Sequence, residues 1–305
     1  MKTLRYIFFL LLSVSAFAQD VEFVSDSDTL RGTLISTASK EKVVLIIAGS
    51  GPTDRNGNSA MGLENNSLKM LAEGLAENGI SALRYDKRGV ARSQIKNFSE
   101  ADLSFDDLVA DAKNWINWLE KEGYNRVIVA GHSQGSLVGM LAAQDNERVS
   151  GFVSIAGAGK DLGSTLVAQI TAQSAELGAQ SKILMDSIVA GHSPEQINPF
   201  LASLFRPSIF GFLQSYGKYN PSEEIRKLTI PVMVINGTTD IQVGVAHAQS
   251  LTSDTDFDLK IYEGMNHVLK EAPLDRNKNI ATYSQPDLPL FSGLIDDITK
   301  FINSL

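Results

Sequence analysis

The sequence predicts an α/β fold, in which a mostly parallel central sheet is flanked by helices. Short apolar segments without interruption alternate along the chain with segments whose apolar residues recur at helical spacing. Residues 43–47 (Val-Val-Leu-Ile-Ile) are an example of the first kind. Continuous apolar runs are typical of strands that are buried on both faces, as in parallel sheets. Their alternation with amphipathic helices predicts β-α-β units.

The individual elements follow from these patterns. An antiparallel hairpin is predicted over residues 21–24 and 30–35, because turn-forming residues separate the two extended segments. Ser104, followed by two aspartates, is typical of a helix amino terminus. The remaining strands are predicted at 43–47, 80–85, 126–130, 149–155, 230–235 and 259–262, and the helices at 67–78, 104–121, 135–144 and 290–302.

The alternation stops between residues 162 and 222. This segment contains helical patterns separated by glycine and prolines, and no buried strand. A separate small domain is the alternative to an insertion, but about 60 proline-broken residues make a poor independent core. We therefore predict one domain over residues 19–305 with a helical cap inserted at about 162–222.

The first eighteen residues resemble a signal peptide. Lys2 and Arg5 precede an apolar run at residues 7–12, and Ala16-Phe17-Ala18 has the small-residue pattern of a cleavage site. A transmembrane anchor is the alternative, but the run is shorter than the roughly 20 residues that span a bilayer. We predict cleavage after Ala18, a secreted or periplasmic location, and no membrane anchor after cleavage.

Composition excludes several classes of function. The chain has 27 basic and 35 acidic residues, and loss of residues 1–18 would change its net charge from −8 to about −10. Such a charge disfavours the phosphate contacts that dominate nucleic-acid binding. The chain has no cysteine, which rules out disulfides, thiolate catalysis and cysteine-ligated metals. No metal-binding motif or dinucleotide fingerprint is found either, so we expect no cofactor.

The most informative motif is residues 131–135 (Gly-His-Ser-Gln-Gly), which match G-x-S-x-G between a predicted strand and a predicted helix. This context is the one in which the motif presents a serine on a strained strand-to-helix turn. Flanking glycines leave room for the neighbouring strand and helix. A serine that only caps a helix is the alternative, but the surrounding elements favour Ser133 as a nucleophile.

With this motif, four further segments carry a resemblance to a known family. The chain resembles the α/β-hydrolase superfamily over nearly all of residues 19–305. It is similar to the bacterial hydrolases grouped with serine aminopeptidases and cinnamoyl-type esterases. The other segments are residues 48–52 (Ala-Gly-Ser-Gly-Pro), 84–89 (Arg-Tyr-Asp-Lys-Arg-Gly), 236–240 (Asn-Gly-Thr-Thr-Asp) and 264–267 (Gly-Met-Asn-His).

A serine nucleophile needs a base, and the base needs a carboxylate to orient it. Of the four histidines, His267 follows the last predicted strand on a turn-rich loop, where this fold places its base. Asp240 follows the strand at 230–235, and the order Ser133, Asp240, His267 is the one expected of α/β-hydrolases. Asp161 is the closest competing carboxylate, because it also follows a strand. The remaining rivals precede a strand and are expected at its other end; they are Asp254, Asp256 and Asp258.

The backbone N–H of Gln134 is the first expected oxyanion donor. The resemblance implies a second donor at Ser50, although Ala48-Gly49 replaces the superfamily's frequent His-Gly pair. The polar loop 53–57 either contacts substrate or only holds itself in place through an Asp–Arg pair. The nearby residues of the family loop are interpreted as structural: Asp86, Arg88 and Gly89.

The aromatic residues of the cap are candidates for a substrate pocket, in particular Phe205, Phe210 and Phe212. Together these features predict a serine hydrolase that acts on a small-molecule carboxylic ester through an acyl-enzyme. A serine aminopeptidase or amidase is the nearest alternative, and would need acidic cap residues such as Glu176 and Glu195 to anchor a substrate amine. A thioesterase and a non-catalytic binding protein of the same fold are the remaining alternatives.

Overall fold

A computed structural model describes residues 16–25 and 28–305. Most of the predicted signal peptide, residues 1–15, and part of the hairpin turn, residues 26 and 27, lie outside the described residues. The first strand begins at Phe17, two residues before the predicted mature terminus at Gln19.

The described residues form an eight-stranded sheet in the order β1-β2-β4-β3-β5-β6-β7-β8. β1 pairs antiparallel with β2, and β2 pairs antiparallel with β4. All later pairings, from β4–β3 to β7–β8, are parallel. The strands are β1 (Phe17–Ser25), β2 (Asp28–Ser36), β3 (Lys42–Ile47), β4 (Ser81–Tyr85), β5 (Arg126–His132), β6 (Val149–Ile155), β7 (Val232–Gly237) and β8 (Asp258–Tyr262).

Ten α-helices are described, together with 3₁₀ turns at Glu100–Asp102, Pro207–Ile209 and Thr282–Ser284. The segment predicted as a cap contains α4 to α7, of which the last extends to Ile225. The helices are α1 (Ser67–Glu77), α2 (Phe105–Lys121), α3 (Gln134–Ala143), α4 (Leu162–Thr171), α5 (Ala175–Val189), α6 (Phe210–Tyr216), α7 (Pro221–Ile225), α8 (Val245–Thr252), α9 (Arg276–Ala281) and α10 (Leu294–Ser304).

The predicted fold class is confirmed, and the element boundaries differ where single residues act. Ser104 caps α2 through a capping box with Asp107. The strand predicted from residue 230 begins only at Val232, after Pro231, which has no N–H for the ladder. The last helix, predicted from residue 290, begins at Leu294 because Gly293 adopts a φ of 83°.

The core has an apolar layer on each face of the sheet. Side chains of α2 and α3 cover one face, with Trp115 and Phe152 fully buried there. Side chains of α1 and α10 cover the other face. The cap has an apolar cluster of its own around Phe205 and Met185. Packing on both faces makes the sheet rigid. Because the strands from β3 to β8 are parallel, their carboxyl ends meet at one edge of the sheet. Within the described residues, no helix is long and apolar enough to cross a bilayer.

Candidate active site

Ser133 occupies a strained turn between β5 and α3. Its φ and ψ are 54° and −120°, a conformation that residues with side chains seldom adopt. A Cβ added at Gly131 would lie 2.2 Å from the carbonyl oxygen of Gly135. One added at Gly135 would lie 2.4 Å from the carbonyl oxygen of Ile47. Both clashes are with backbone, so the close approach of strand and helix requires glycine at both positions.

Asp240 and His267 meet at the carboxyl end of the sheet. Nδ1 of His267 donates to Oδ2 of Asp240 at 2.7 Å, and both side chains are buried. The other oxygen of Asp240 accepts the backbone N–H groups of Gln242 and Val243, each at 2.8 Å. Because the carboxylate only accepts hydrogen bonds, His267 carries its proton on Nδ1. Its Nε2 is therefore the atom available to accept a proton.

The loop that carries His267 is joined directly to the residue beside the serine. Nε2 of His132 donates to the backbone carbonyl of His267 at 2.8 Å, and the two rings are 4.9 Å apart. In the described chain no hydrogen bond joins Ser133 to His267. Contacts of this kind are often long without substrate and tighten when it binds. The structure thus brings His267 and Asp240 into contact and places them beside the serine turn.

The other histidines have different surroundings. Burial, followed by the neighbouring His267, lowers the pKa of His132 to about 4, so its ring is neutral at pH 7. His247 lies on α8, where its Nδ1 accepts the N–H of Gly159 at 3.1 Å. His192 is exposed in the cap. His132 and His247 therefore have other hydrogen-bond partners, and His192 is exposed to solvent.

The competing carboxylates also have other contacts. Asp161 caps α4, where it accepts from the N–H of Ser164 at 2.9 Å and from its hydroxyl at 2.6 Å. Asp258 is the first residue of β8 and lies at the amino end of that strand. Among the described residues, no group of three or more acidic, histidine or cysteine side chains is arranged to hold a metal ion.

The two expected oxyanion donors lie on one cavity wall with Ser133. Gln134 is the first residue of α3, so its N–H has no partner within the helix. The loop with Ser50 runs against the serine turn, since a Cβ added at Gly49 would lie 3.1 Å from Cβ of Ser133. The backbone N–H groups of Gln134 and Ser50 are therefore candidates to bind one oxygen atom.

The cavity has a volume of about 630 Å³ and lies between the sheet edge and the cap. Phe212 lines it, and its part in substrate binding stays a prediction. The prediction is wrong for Phe205, which is 0% exposed because it fills the apolar cluster of the cap. It is also wrong for Phe210, which packs against that cluster and is not among the lining residues. The apolar cap residues that line the cavity are Leu162, Leu166, Leu204, Ile209, Phe212, Leu213 and Tyr216.

The polar loop 53–57 is held in place by ion pairs. Arg55 contacts Asp86 at 2.7 Å and Asp20 at 3.4 Å, so its partners differ from the Asp–Arg pair predicted within the loop. Asp54 instead accepts the N–H groups of Asn56 and Asn58. These contacts favour the structural interpretation of the loop, and Asp86 has the structural role expected of it.

Lys87, Glu100 and Arg206 line the cavity, and the sequence did not point to any of them. Glu100 forms an ion pair with Arg206 of the cap, which lowers the pKa of the carboxyl group. The acidic cap residues considered for amine binding, Glu176 and Glu195, do not line the cavity. Lys87 lies within residues 84–89, one of the segments that carry the family resemblance, but the sequence does not show that its side chain faces the cavity.

Comparisons with known proteins agree with this description. Residues 61–203 match the family model described as serine aminopeptidase, S33. Esterase EstD of Thermotoga maritima is 25% identical over 233 residues, which cover 74% of this chain and 54% of the relative. The chain thus spans about half the length of this curated relative.

Solved structures show the same fold. An esterase of Pyrococcus furiosus has a TM-score of 0.60 at 17% identity and covers 95% of this chain and 91% of its own. Est1E of Butyrivibrio proteoclasticus, solved with ferulic acid bound, has a TM-score of 0.59 at 16% identity, with 87% and 96% covered. These structures confirm the predicted fold, and the family-model match and the relationship to esterase EstD agree with the resemblance found in the sequence.

Proposed function

We propose that this chain, which has the α/β-hydrolase fold, is a serine carboxylic-ester hydrolase that forms an acyl-enzyme on Ser133. The observation that carries the proposal is the buried Asp240–His267 pair beside a strained serine turn. The named esterases among the similar proteins support an ester as substrate.

Each residue has a chemical task in this mechanism. His267 accepts the proton of the Ser133 hydroxyl through Nε2 as the oxygen attacks the ester carbonyl. Asp240 holds the imidazole in the required tautomer and stabilises its positive charge. The backbone N–H groups of Gln134 and Ser50 bind the oxyanion that forms. His267 then protonates the leaving alcohol and activates a water molecule, which releases the acid.

The cavity favours an ester over a substrate with a free amine. An aminopeptidase requires an unpaired carboxylate near the serine to bind the substrate amine. The carboxylate of Glu100 lies on the cavity wall, but it is already paired with Arg206 and accepts from the hydroxyl of Ser208 at 2.7 Å. The match to a serine aminopeptidase model keeps the amidase as the second candidate function.

A fluorophosphonate probe tests the enzyme class, because it forms a covalent adduct only with an activated serine. We expect wild-type protein to be labelled and Ser133→Ala to remain unlabelled while folded. Absence of labelling in folded wild-type protein contradicts the proposal and favours a non-catalytic binding protein. A panel of p-nitrophenyl esters of graded chain length, run beside aminoacyl anilides, then separates the esterase from the amidase.

We also propose that the protein is exported to the periplasm or secreted, with its mature terminus at Gln19. The sequence of residues 1–18 supports this proposal. Mass spectrometry of the amino-terminal peptide, from protein expressed with the full sequence in a bacterial host, tests it. A terminus at Met1 in the exported fraction contradicts cleavage at this position.

A further inference from the structure

Lys87 places a buried amine in the wall of the cavity, and the proposed mechanism does not use this amine. It follows β4, and the residue is only 6% exposed. Its Nζ donates to two backbone carbonyls of the loop after β3, those of Gly49 and Gly51; the second contact is 2.7 Å long. The residue between these two glycines is Ser50, whose N–H is the proposed second oxyanion donor.

The carbonyl of Gly49 and the N–H of Ser50 belong to the same peptide group. A trans peptide group is planar, and its C=O and N–H bonds point in opposite directions. The described residues contain no cis peptide bond. A lysine that binds the carbonyl of Gly49 on one side therefore directs the N–H of Ser50 to the other side. Close packing of Gly49 against Ser133 places that N–H beside the serine turn.

The second hydrogen bond holds the peptide group between Gly51 and Pro52. Gly51 has a φ of 68°, in the left-handed region that glycine adopts without steric cost. This conformation turns the chain so that the carbonyls on both sides of Ser50 reach one amine. Without the lysine, the carbonyls of Gly49 and Gly51 would face the cavity wall with no other described donor, and two peptide groups could rotate.

The electrostatic surroundings also point to a specific role for this amine. The charged residues on either side of it in the sequence form ion pairs with other groups: Asp86 pairs with Arg55 at 2.7 Å, and Arg88 pairs with Asp111. No ion pair of Lys87 is found among the described residues, and burial lowers its pKa to about 7. A buried amine without a counter-ion is unfavourable for folding, so another interaction must account for its presence.

We propose that Lys87 is a positioning residue of the oxyanion hole, which binds the carbonyls of Gly49 and Gly51 and so holds the Gly49–Ser50 peptide group with the Ser50 N–H pointing at the reacting carbonyl. This inference rests on the proposed hydrolase function. The lysine acts through the loop and does not contact the substrate in this role. The lysine fixes the direction of the Ser50 N–H before substrate binds. Donors that are preorganised in this way stabilise the transition state most effectively.

The test is Lys87→Met, which keeps the aliphatic volume and removes the N–H donors. Removal of an oxyanion donor typically lowers turnover about 10²–10³-fold, and a donor that is misdirected loses part of that effect. We therefore expect kcat on a p-nitrophenyl ester to fall about 10–100-fold, with KM changed less than about 3-fold, because the donor acts on the transition state. The affinity for an aryl boronic acid, which forms a tetrahedral adduct on serine, should fall by the same factor as kcat.

Lys42→Met is the matched control. Nζ of Lys42 also donates to a backbone carbonyl, that of Ile302 at 2.8 Å, but it lies at the amino end of β3. This variant should retain wild-type kcat and boronic acid affinity. If Lys87→Met does not fold, Lys87→Gln is the second variant; it keeps N–H donors on a shorter, uncharged chain, and its kcat should fall below that of wild type at unchanged KM.

The outcomes separate this inference from the function on which it rests. Active wild-type enzyme with unchanged kcat in the folded Lys87 variant overturns the positioning role alone. A rise in KM without a fall in kcat also overturns it, because the lysine would then contribute only to substrate binding. Folded wild-type protein that neither hydrolyses esters nor reacts with a fluorophosphonate overturns both proposals.

Discussion

The substitution Asp240→Asn changes one oxygen of the candidate site into an amide nitrogen, and the structure determines which one. Oδ1 accepts two backbone N–H groups, those of Gln242 and Val243, at 2.8 Å each. An NH₂ group in that position would face two donors, so the amide oxygen must remain there. The NH₂ group then faces Nδ1 of His267, which has to become an acceptor.

This reversal of the hydrogen bond determines the expected magnitude. If Nδ1 of His267 accepts, the ring proton moves to Nε2, which can no longer take the proton of Ser133. In serine hydrolases with an established triad, the same substitution slows turnover about 10⁴-fold, which corresponds to about 5 kcal/mol of transition-state stabilisation. Geometry and fold should be preserved, because Asn is nearly isosteric with Asp.

Steady-state hydrolysis of a p-nitrophenyl ester provides the measurement, with unfolding followed by circular dichroism. Asp161→Asn is the matched control, since Asp161 also follows a strand but caps α4, and Asn is an equally good cap. We expect kcat of Asp240→Asn to be about 10⁴-fold lower and that of Asp161→Asn to be unchanged. A folded Asp240→Asn enzyme within tenfold of wild type would refute the assignment of Asp240.

Three further predictions concern stability and the pocket. Burial lowers the pKa of His132 to about 4, so the unfolded chain binds a proton at this histidine at a higher pH than the folded chain does. Wild type should therefore lose about 2–3 kcal/mol of unfolding free energy between pH 6.5 and pH 4 through this group. His132→Gln should lack this loss in urea titrations. Gly135→Ala places its Cβ against backbone and should lower the free energy of unfolding by more than about 2 kcal/mol. Gly211→Ala is the control, because nothing lies within 4 Å of the new Cβ. It should be neutral or slightly stabilising in the same experiment. Phe205→Ala should cost about 3–5 kcal/mol of stability because the ring is fully buried, whereas Phe212→Ala should mainly raise KM for esters with large acyl groups; the opposite assignment of the two effects would contradict the cavity described here.

The sequence predicted those features that depend on local patterns. Continuous apolar runs identified the buried strands, and the glycines around Ser133 identified the turn, because only glycine fits where strand and helix backbones touch. Asp240 and His267 were found because they follow strands whose carboxyl ends share one edge of a parallel sheet. The 2.7 Å contact between them is a consequence of that topology.

Other features depend on packing that a sequence does not display. Phe205 and Phe212 are the same residue type seven positions apart, yet one fills the cap cluster and the other lines the cavity. Phe205 lies in the turn segment after α5, whereas Phe212 lies on α6, and only the tertiary packing of these segments decides which ring is buried. Lys87 was missed for a related reason, since its amine gains its role only from loop carbonyls that are distant in the sequence.

The most direct test of the account is a crystal structure of the protein inactivated with a fluorophosphonate. We expect a covalent bond from Oγ of Ser133 to phosphorus, with a phosphonyl oxygen about 2.7–3.1 Å from the backbone nitrogens of Gln134 and Ser50. Nε2 of His267 should lie within hydrogen-bond reach of the adduct. An adduct on another residue, or an imidazole that points away from the phosphorus and no longer donates to Asp240, would contradict the proposed mechanism.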